Sequence, residues 1–186
     1  MKMKKILLLL SLVFTLAFNL AAEEGEWFAG KMPGTLINAS GKSIDTAQAL
    51  KGKMVAFYFS ASWCGPCKAF TPKLVKFYKQ VAKKKNIEIV FVSSDRNDEA
   101  MKSYMKSYKM PWLAIPFNEQ SRNAFGKEMQ VRGIPTLIVF DENGKMITNT
   151  ARRDVTVLGA KAADAWRSPD YKSKVSGKKS RKKNKR

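Results

Sequence analysis

The run Met54–Ser60 (MVAFYFS) is apolar or aromatic up to its final serine, and within four residues it leads into Cys64-Gly65-Pro66-Cys67. A short, continuous apolar run of this kind suits a strand buried on both faces, as in the middle of a parallel sheet, better than a half-exposed strand with alternating polarity. After the cysteines, Phe70, Leu74, Phe77, Tyr78 and Val81 recur at spacings of three and four. That spacing predicts an amphipathic helix ending near Lys85. A second buried strand, Ile87–Ser93 (IEIVFVS), follows. The chain is therefore an α/β protein with a sheet covered on both faces.

The remaining segments extend this unit. Residues 23–34 read as an extended lead-in. Residues 35–38, then Ser40-Gly41-Lys42-Ser43, read as a short hairpin around a Ser-Gly turn, and Asp45 is placed to cap a short helix over 45–50. Residues 95–108 predict a helix with Ala100, Met101, Tyr104, Met105 and Tyr108 on one side, and residues 119–125 a weaker helix ended by Gly126. Thr136–Phe140 (TLIVF) is a third buried strand. Asn143-Gly144 supplies the positive φ angles of a tight turn into a returning strand over 145–148. A last helix is expected from about Gly159 to Trp166. The order is β-α-β-α-β-β-α behind a short hairpin, without internal repeats.

Polarity at the two ends divides the chain further. Lys2, Lys4 and Lys5 precede an almost wholly apolar stretch over 6–20, then Ala21 and Ala22, then Glu23 and Glu24. This pattern describes a signal peptide over 1–22, removed near Ala22, and hence an exported protein, periplasmic or extracellular. An uncleaved membrane anchor is the competing reading, although the apolar run falls short of the roughly 20 residues that span a bilayer. Leu20 is an imperfect residue three positions before that cleavage point, and no cysteine lies nearby to accept a lipid. The body is expected over 23–168, with a disordered basic tail over 169–186. Net charge is +20; the eight Lys/Arg of residues 173–186 and the three of residues 1–22 leave +9 for residues 23–172. An exported tail of this kind suits an anionic membrane or glycan surface; a specific nucleic-acid partner is not expected.

Cys64 and Cys67 are the only cysteines, and the chain has no histidine. A disulfide between them would close too small a loop to restrict the unfolded chain much, so stapling is a poor reason for the pair. Two cysteines without histidine do not complete a four-ligand zinc site, so no metal is expected. Redox chemistry fits better. Placed between a strand and a helix, Cys64 falls at the helix N-terminus, where unpaired N–H groups and the helix dipole favour a thiolate. Its pKa is then expected below the free value of about 8.5. Pro66 fits the first helical turn, where its missing N–H costs nothing, and Gly65 eases the turn. Cys67 lies one turn inward. Cys64 would attack a substrate disulfide, and Cys67 would resolve the mixed disulfide by attacking Cys64. No cofactor beyond the Cys64–Cys67 pair is needed.

Trp63-Cys64-Gly65-Pro66-Cys67-Lys68 and, some seventy residues later, Ile134-Pro135-Thr136 resemble the thioredoxin superfamily over roughly residues 34–166. The resemblance implies the thioredoxin fold: a central mixed β-sheet flanked by helices on both faces. It also implies a kink at Pro72, a cis Ile134–Pro135 bond beside Cys64, and substrate contacts from Trp63, Ile134, Pro135 and Thr136. Tyr58-Phe59-Ser60-Ala61-Ser62, Val92-Ser93-Ser94-Asp95-Arg96 and Met110-Pro111-Trp112-Leu113 are most similar to the tryparedoxin and nucleoredoxin branch. Two departures stand out. That branch usually has two prolines between its cysteines where this chain has Gly65-Pro66, and export points toward bacterial envelope relatives. Thioredoxin itself has a buried acid where this chain, like the branch, has Tyr58. The proton acceptor for Cys67 is thus open, with Glu88 a candidate against its reading as a solvated strand-edge charge.

The leading expectation is a cell-envelope thiol–disulfide oxidoreductase that reduces protein disulfides and is recharged by an envelope electron donor. The alternative is a polyanion-binding or surface-associated protein on a thioredoxin-fold scaffold. Met110-Pro111-Trp112 could line a substrate groove or cap the core.

Overall fold

A computed structural model describes residues 28, 30–117 and 121–171. The expected signal peptide, the basic tail beyond Tyr171 and the expected helix start at Glu119 lie outside the described residues.

Among the described residues, one seven-stranded sheet has the order β2-β1-β5-β4-β3-β6-β7. Its strands are β1 (Thr35–Ile37), β2 (Ser43–Asp45), β3 (Met54–Ser60), β4 (Ile87–Ser93), β5 (Leu113–Ala114), β6 (Thr136–Phe140) and β7 (Met146–Thr148). The helices are α1 (Thr46–Leu50), α2 (Gly65–Val81), α3 (Asp98–Ser107), α4 (Ser121–Glu128), α5 (Ala151–Leu158) and α6 (Lys161–Trp166). The sheet is mixed: β3 pairs parallel with β4 from Met54↔Ile87 to Ser60↔Ser93, and antiparallel with β6 from Val55↔Phe140 to Phe59↔Thr136. This is the thioredoxin fold.

All seven residues of β3 are buried because the strand feeds two cores. Side chains alternate across a strand. Met54, Ala56 and Tyr58 therefore join α2, α3, α5 and α6 on one face, with Phe77, Trp112 and Trp166. Val55, Phe57 and Phe59 join Leu36, Leu50 and Phe125 on the other. Trp112 is 1% exposed and makes edge contacts with Tyr58 and Tyr78. It belongs to the core, not to a substrate groove.

Several boundaries differ from the sequence expectation. Helix α3 starts at Asp98 rather than Asp95, because Asn97 caps it by accepting from the Ala100 N–H at 2.8 Å, and Asp95 is engaged elsewhere. Gly126 lies inside α4, which runs on to Glu128. The two-residue β5 was too short to carry a pattern. Gly159 does not open the last helix; at φ 57° and ψ −135° it breaks α5 from α6. The hairpin turn between β6 and β7 is as expected, with Gly144 at φ 78° and Asp141 Oδ1 accepting from the N–H groups of Asn143 and Lys145. Asp45 caps α1 by accepting from the Gln48 N–H at 2.7 Å. Packed contacts reach Tyr171, whose hydroxyl donates to Asp154 at 2.7 Å.

Candidate active site

Strand β3 ends at Ser60, and the chain turns through Ala61, Ser62 and Trp63 to place Cys64 as the N-cap of α2. The Cys64 N–H donates back to the Ala61 carbonyl at 3.2 Å, which closes this turn. Cys64 and Cys67 form a disulfide with their Cα atoms 5.2 Å apart. The Cys67 N–H points at Cys64 Sγ, 3.2 Å away. It is one of the helix-terminal donors without an intrahelical acceptor, and in the reduced protein it would stabilise a Cys64 thiolate.

The two sulfurs are not equivalent. Cys64 is 6% exposed and Cys67 is fully buried, so incoming reagents meet Cys64 first. Pro66 occupies the first turn of α2 as expected. Gly65 does not have the positive φ that would demand glycine, and a Cβ there would meet open space. Its contribution is an uncovered flank beside Cys64. Pro72 lies inside α2 and removes the N–H that would otherwise donate one turn back. Trp63 is 59% exposed, yet its indole N–H donates to the Ser94 carbonyl at 3.2 Å, which anchors the ring next to the redox turn.

The facing wall comes from the segment before β6. Ile134–Pro135 is cis, Pro135 is buried, and the Ile134 carbonyl oxygen lies 3.8 Å from Cys64 Sγ. Ile134 also packs on a small cluster of Ala61, Cys64 and Cys67. Thr136 fixes this loop from both sides: its hydroxyl donates to the Gly133 carbonyl at 2.6 Å, and its backbone pairs with Phe59 at the end of β3. Trp63, Cys64, Gly65, Pro66, Cys67, Ile134, Pro135 and Thr136 thus converge at one end of the sheet. Together they form a ledge beside Cys64. The cleft of about 830 Å³ bordered by Met54, Asp141, Trp166 and Tyr171 contains neither cysteine.

Two polar groups behind the ledge were not assigned from sequence. The first is a hydroxyl cluster under Cys67. The Thr71 hydroxyl donates to the Cys67 carbonyl at 2.9 Å and lies 2.8 Å from Tyr58 Oη and 2.6 Å from Tyr104 Oη. With the Thr71 proton used on the carbonyl, both tyrosines donate to Thr71. Burial raises the Tyr58 pKa far above its usual value, so this phenol stays protonated. Thr71 stands four residues after Cys67, the spacing that reaches the previous turn's carbonyl, and that spacing was the available signal.

The second is Asp95, 4% exposed, just past the end of β4. Its Oδ1 accepts from the Ser62 N–H at 2.8 Å and the Ser62 hydroxyl at 2.7 Å, and its Oδ2 accepts from the Ser93 hydroxyl at 2.8 Å. Asp95 therefore clamps the turn that delivers Cys64. Arg122 of α4 donates to the Ser93 carbonyl at 2.7 Å; burial lowers its pKa while the Asp95 charge raises it. Because β3 and β4 are parallel, their C-terminal ends meet, and an acid just after β4 falls beside a motif just after β3.

Glu88 is not a proton acceptor for Cys67. It pairs in register with Val55, five residues before the end of β3, which is roughly 17 Å of strand. Nor is it a solvated edge charge: it accepts from the Tyr78 hydroxyl at 2.7 Å and meets Lys53 Nζ at 3.5 Å on a central strand.

A dithiol pair at a helix N-terminus, opposite a cis-proline on this sheet, defines a site for thiol–disulfide exchange. A thioredoxin-like family model matches residues 52–146. The tryparedoxin of Trypanosoma brucei brucei is 42% identical over 128 residues, covering 67% of this chain and 86% of that protein. Probable nucleoredoxin 1 of Arabidopsis thaliana is 40% identical over 132 residues, covering 70% of this chain and 22% of that one. The chain spans under a third of the length of the nucleoredoxins it matches. A solved tryparedoxin from Trypanosoma brucei superposes with a TM-score of 0.67 at 38% identity, over 75% of this chain and 96% of that one. The chain belongs to the thioredoxin-like family, and its described domain is a tryparedoxin-like thiol–disulfide oxidoreductase domain with an active-site CxxC disulfide.

Proposed function

We propose that the protein reduces disulfides of other proteins in the cell envelope. The Cys64 thiolate attacks one sulfur of the substrate disulfide, and the other leaves as a thiolate that takes up a proton. The Cys67 thiolate then attacks Cys64 of the mixed disulfide, so the substrate leaves as a dithiol and two electrons have passed from protein to substrate. An external dithiol donor restores Cys64 and Cys67. Trp63, Ile134, Pro135 and Thr136 receive the substrate chain on the ledge.

One observation carries this reading: the Cys64–Cys67 disulfide, with one sulfur at the ledge and the other fully buried behind it. Export to the periplasm or the cell exterior is supported by residues 1–22, and attachment to an anionic membrane or glycan by the basic residues 173–186. The reducing direction is supported by Gly65-Pro66, the pair found between the cysteines of thioredoxin itself. Equilibration with dithiol and glutathione buffers tests the direction. A potential near the roughly −270 mV of thioredoxin is expected, and one near the roughly −120 mV of a strong oxidant would overturn it.

A further inference from the structure

Between Asp45 and Glu88 the sequence contains no acidic residue and nine lysines. Helix α2, which begins at the redox turn, lies wholly within this stretch. Its Lys68, Lys73, Lys76 and Lys79 are exposed, as are Lys83 and Lys84 in the turn that follows. At 100° per residue, the four helical lysines fall within about 140° of arc, on the side away from Phe70, Leu74 and Phe77. Among the described residues none of these six lysines has an ion-pair partner; the pairs go instead to Lys31, Lys53, Lys85, Lys102 and Arg167. Lys73 and Lys76, and Lys76 and Lys79, are like-charged neighbours at i,i+3, an arrangement that costs an isolated helix a few tenths of a kcal/mol per pair. No acidic side chain among the described residues pairs with these lysines to relieve that repulsion.

We propose that this lysine row is the docking surface for acidic polypeptide flanking the substrate disulfide. The row starts at Lys68, directly after Cys67, and extends about 16 Å along α2 to Lys79. A chain whose disulfide sits on the Cys64 ledge would lay its neighbouring residues along this row. Carboxylates there meet unpaired ammonium groups, and the positive field draws such substrates to Cys64 faster than neutral ones. The substrate class is a disulfide in an acidic sequence context. This rests on the reductase reading above, and the position of the row beside the reacting sulfur favours a protein over a membrane as its occupant.

The test uses the reduced full chain and two synthetic peptides with the same disulfide loop, one flanked by glutamates and one by glutamines. Second-order rates are read by stopped-flow fluorescence. At low salt the glutamate peptide is expected to react about tenfold faster, within the range of electrostatic steering. The ratio should fall toward one at about 1 M salt, where the screening length is about 3 Å. The variant Lys73→Glu/Lys76→Glu/Lys79→Glu should bring the ratio to one or below, with the neutralised Lys→Gln version intermediate. Equal rates at low salt, or a ratio that survives in both variants, would overturn the proposal; survival would assign steering to the basic tail. Loss of binding to phosphatidylglycerol vesicles in the variants, with the peptide ratio unchanged, would make the row a membrane contact and equally overturn it. A glutamine peptide that is not reduced at all would refute the reductase reading instead.

Discussion

Replacing Asp95 tests whether the turn delivering Cys64 is held by one buried carboxylate. Asp95 accepts three side-chain or backbone donors, two of them from Ser62, and faces the Arg122 charge. Asp95→Ala leaves the Ser62 N–H and both serine hydroxyls without their acceptor and removes the countercharge beside Arg122. Hydrogen bonds to a charged group contribute about 1.5–3 kcal/mol each, but bonds on one residue do not add, and water can refill part of the space. Breaking a buried charged network by removing one partner costs about 3–5 kcal/mol, so a loss of about 3–4 kcal/mol is expected. Asp95→Asn keeps an acceptor oxygen for Ser62 and should lose only about 1–2 kcal/mol. Urea unfolding of the oxidised protein measures both, and in a melt the alanine variant should fall by on the order of 10 °C. Activity on a small disulfide should drop more in Ala than in Asn, because the turn loosens. An alanine variant within about 1 kcal/mol of the parent would refute the clamp.

Gly159→Ala should destabilise by about 1–2 kcal/mol in the same assay. The penalty comes from the backbone at φ 57° and ψ −135°, since a Cβ there meets open space. Tyr58→Phe should flatten the alkaline loss of stability. Burial raises the folded pKa of Tyr58, so the parent is fully stabilised below about pH 10 and loses up to about 1.4 kcal/mol per pH unit above it from this group, a loss the phenylalanine variant does not share. Deleting residues 173–186 should leave reduction of a small disulfide nearly unchanged while weakening attachment to anionic vesicles, with the difference shrinking as salt rises. Loss of small-disulfide activity on that deletion would place the segment in the catalytic site.

The sheet's centre was legible because β3 and β4 are long, continuous apolar runs, and the redox motif because it sits between β3 and a strongly periodic helix. The edges were harder to read. Strand β5 has two residues, too few for any period, and its place beside β4 is set by Trp112 packing into the core from the residue before it. A glycine next to a helix can mark either end of it; at Gly159 the positive φ ends the helix over 151–158, and the last helix begins only at Lys161. The Asp95 clamp and the Thr71 cluster join residues 33 apart in sequence through parallel pairing and helix packing, which no local pattern encodes. Glu88 lies on the strand next to β3, which makes it a candidate acceptor from sequence; register, not adjacency, removes it from the site.

The division of labour between the two cysteines is the central claim, and a trapping experiment tests it most directly. Reduced Cys67→Ser and Cys64→Ser proteins are mixed with a disulfide-bonded protein substrate and resolved on non-reducing gels. The account predicts that Cys67→Ser accumulates a mixed disulfide through Cys64, because no resolving thiol remains, and that Cys64→Ser accumulates none, because its thiol is buried. Trapping by Cys64→Ser alone would contradict it.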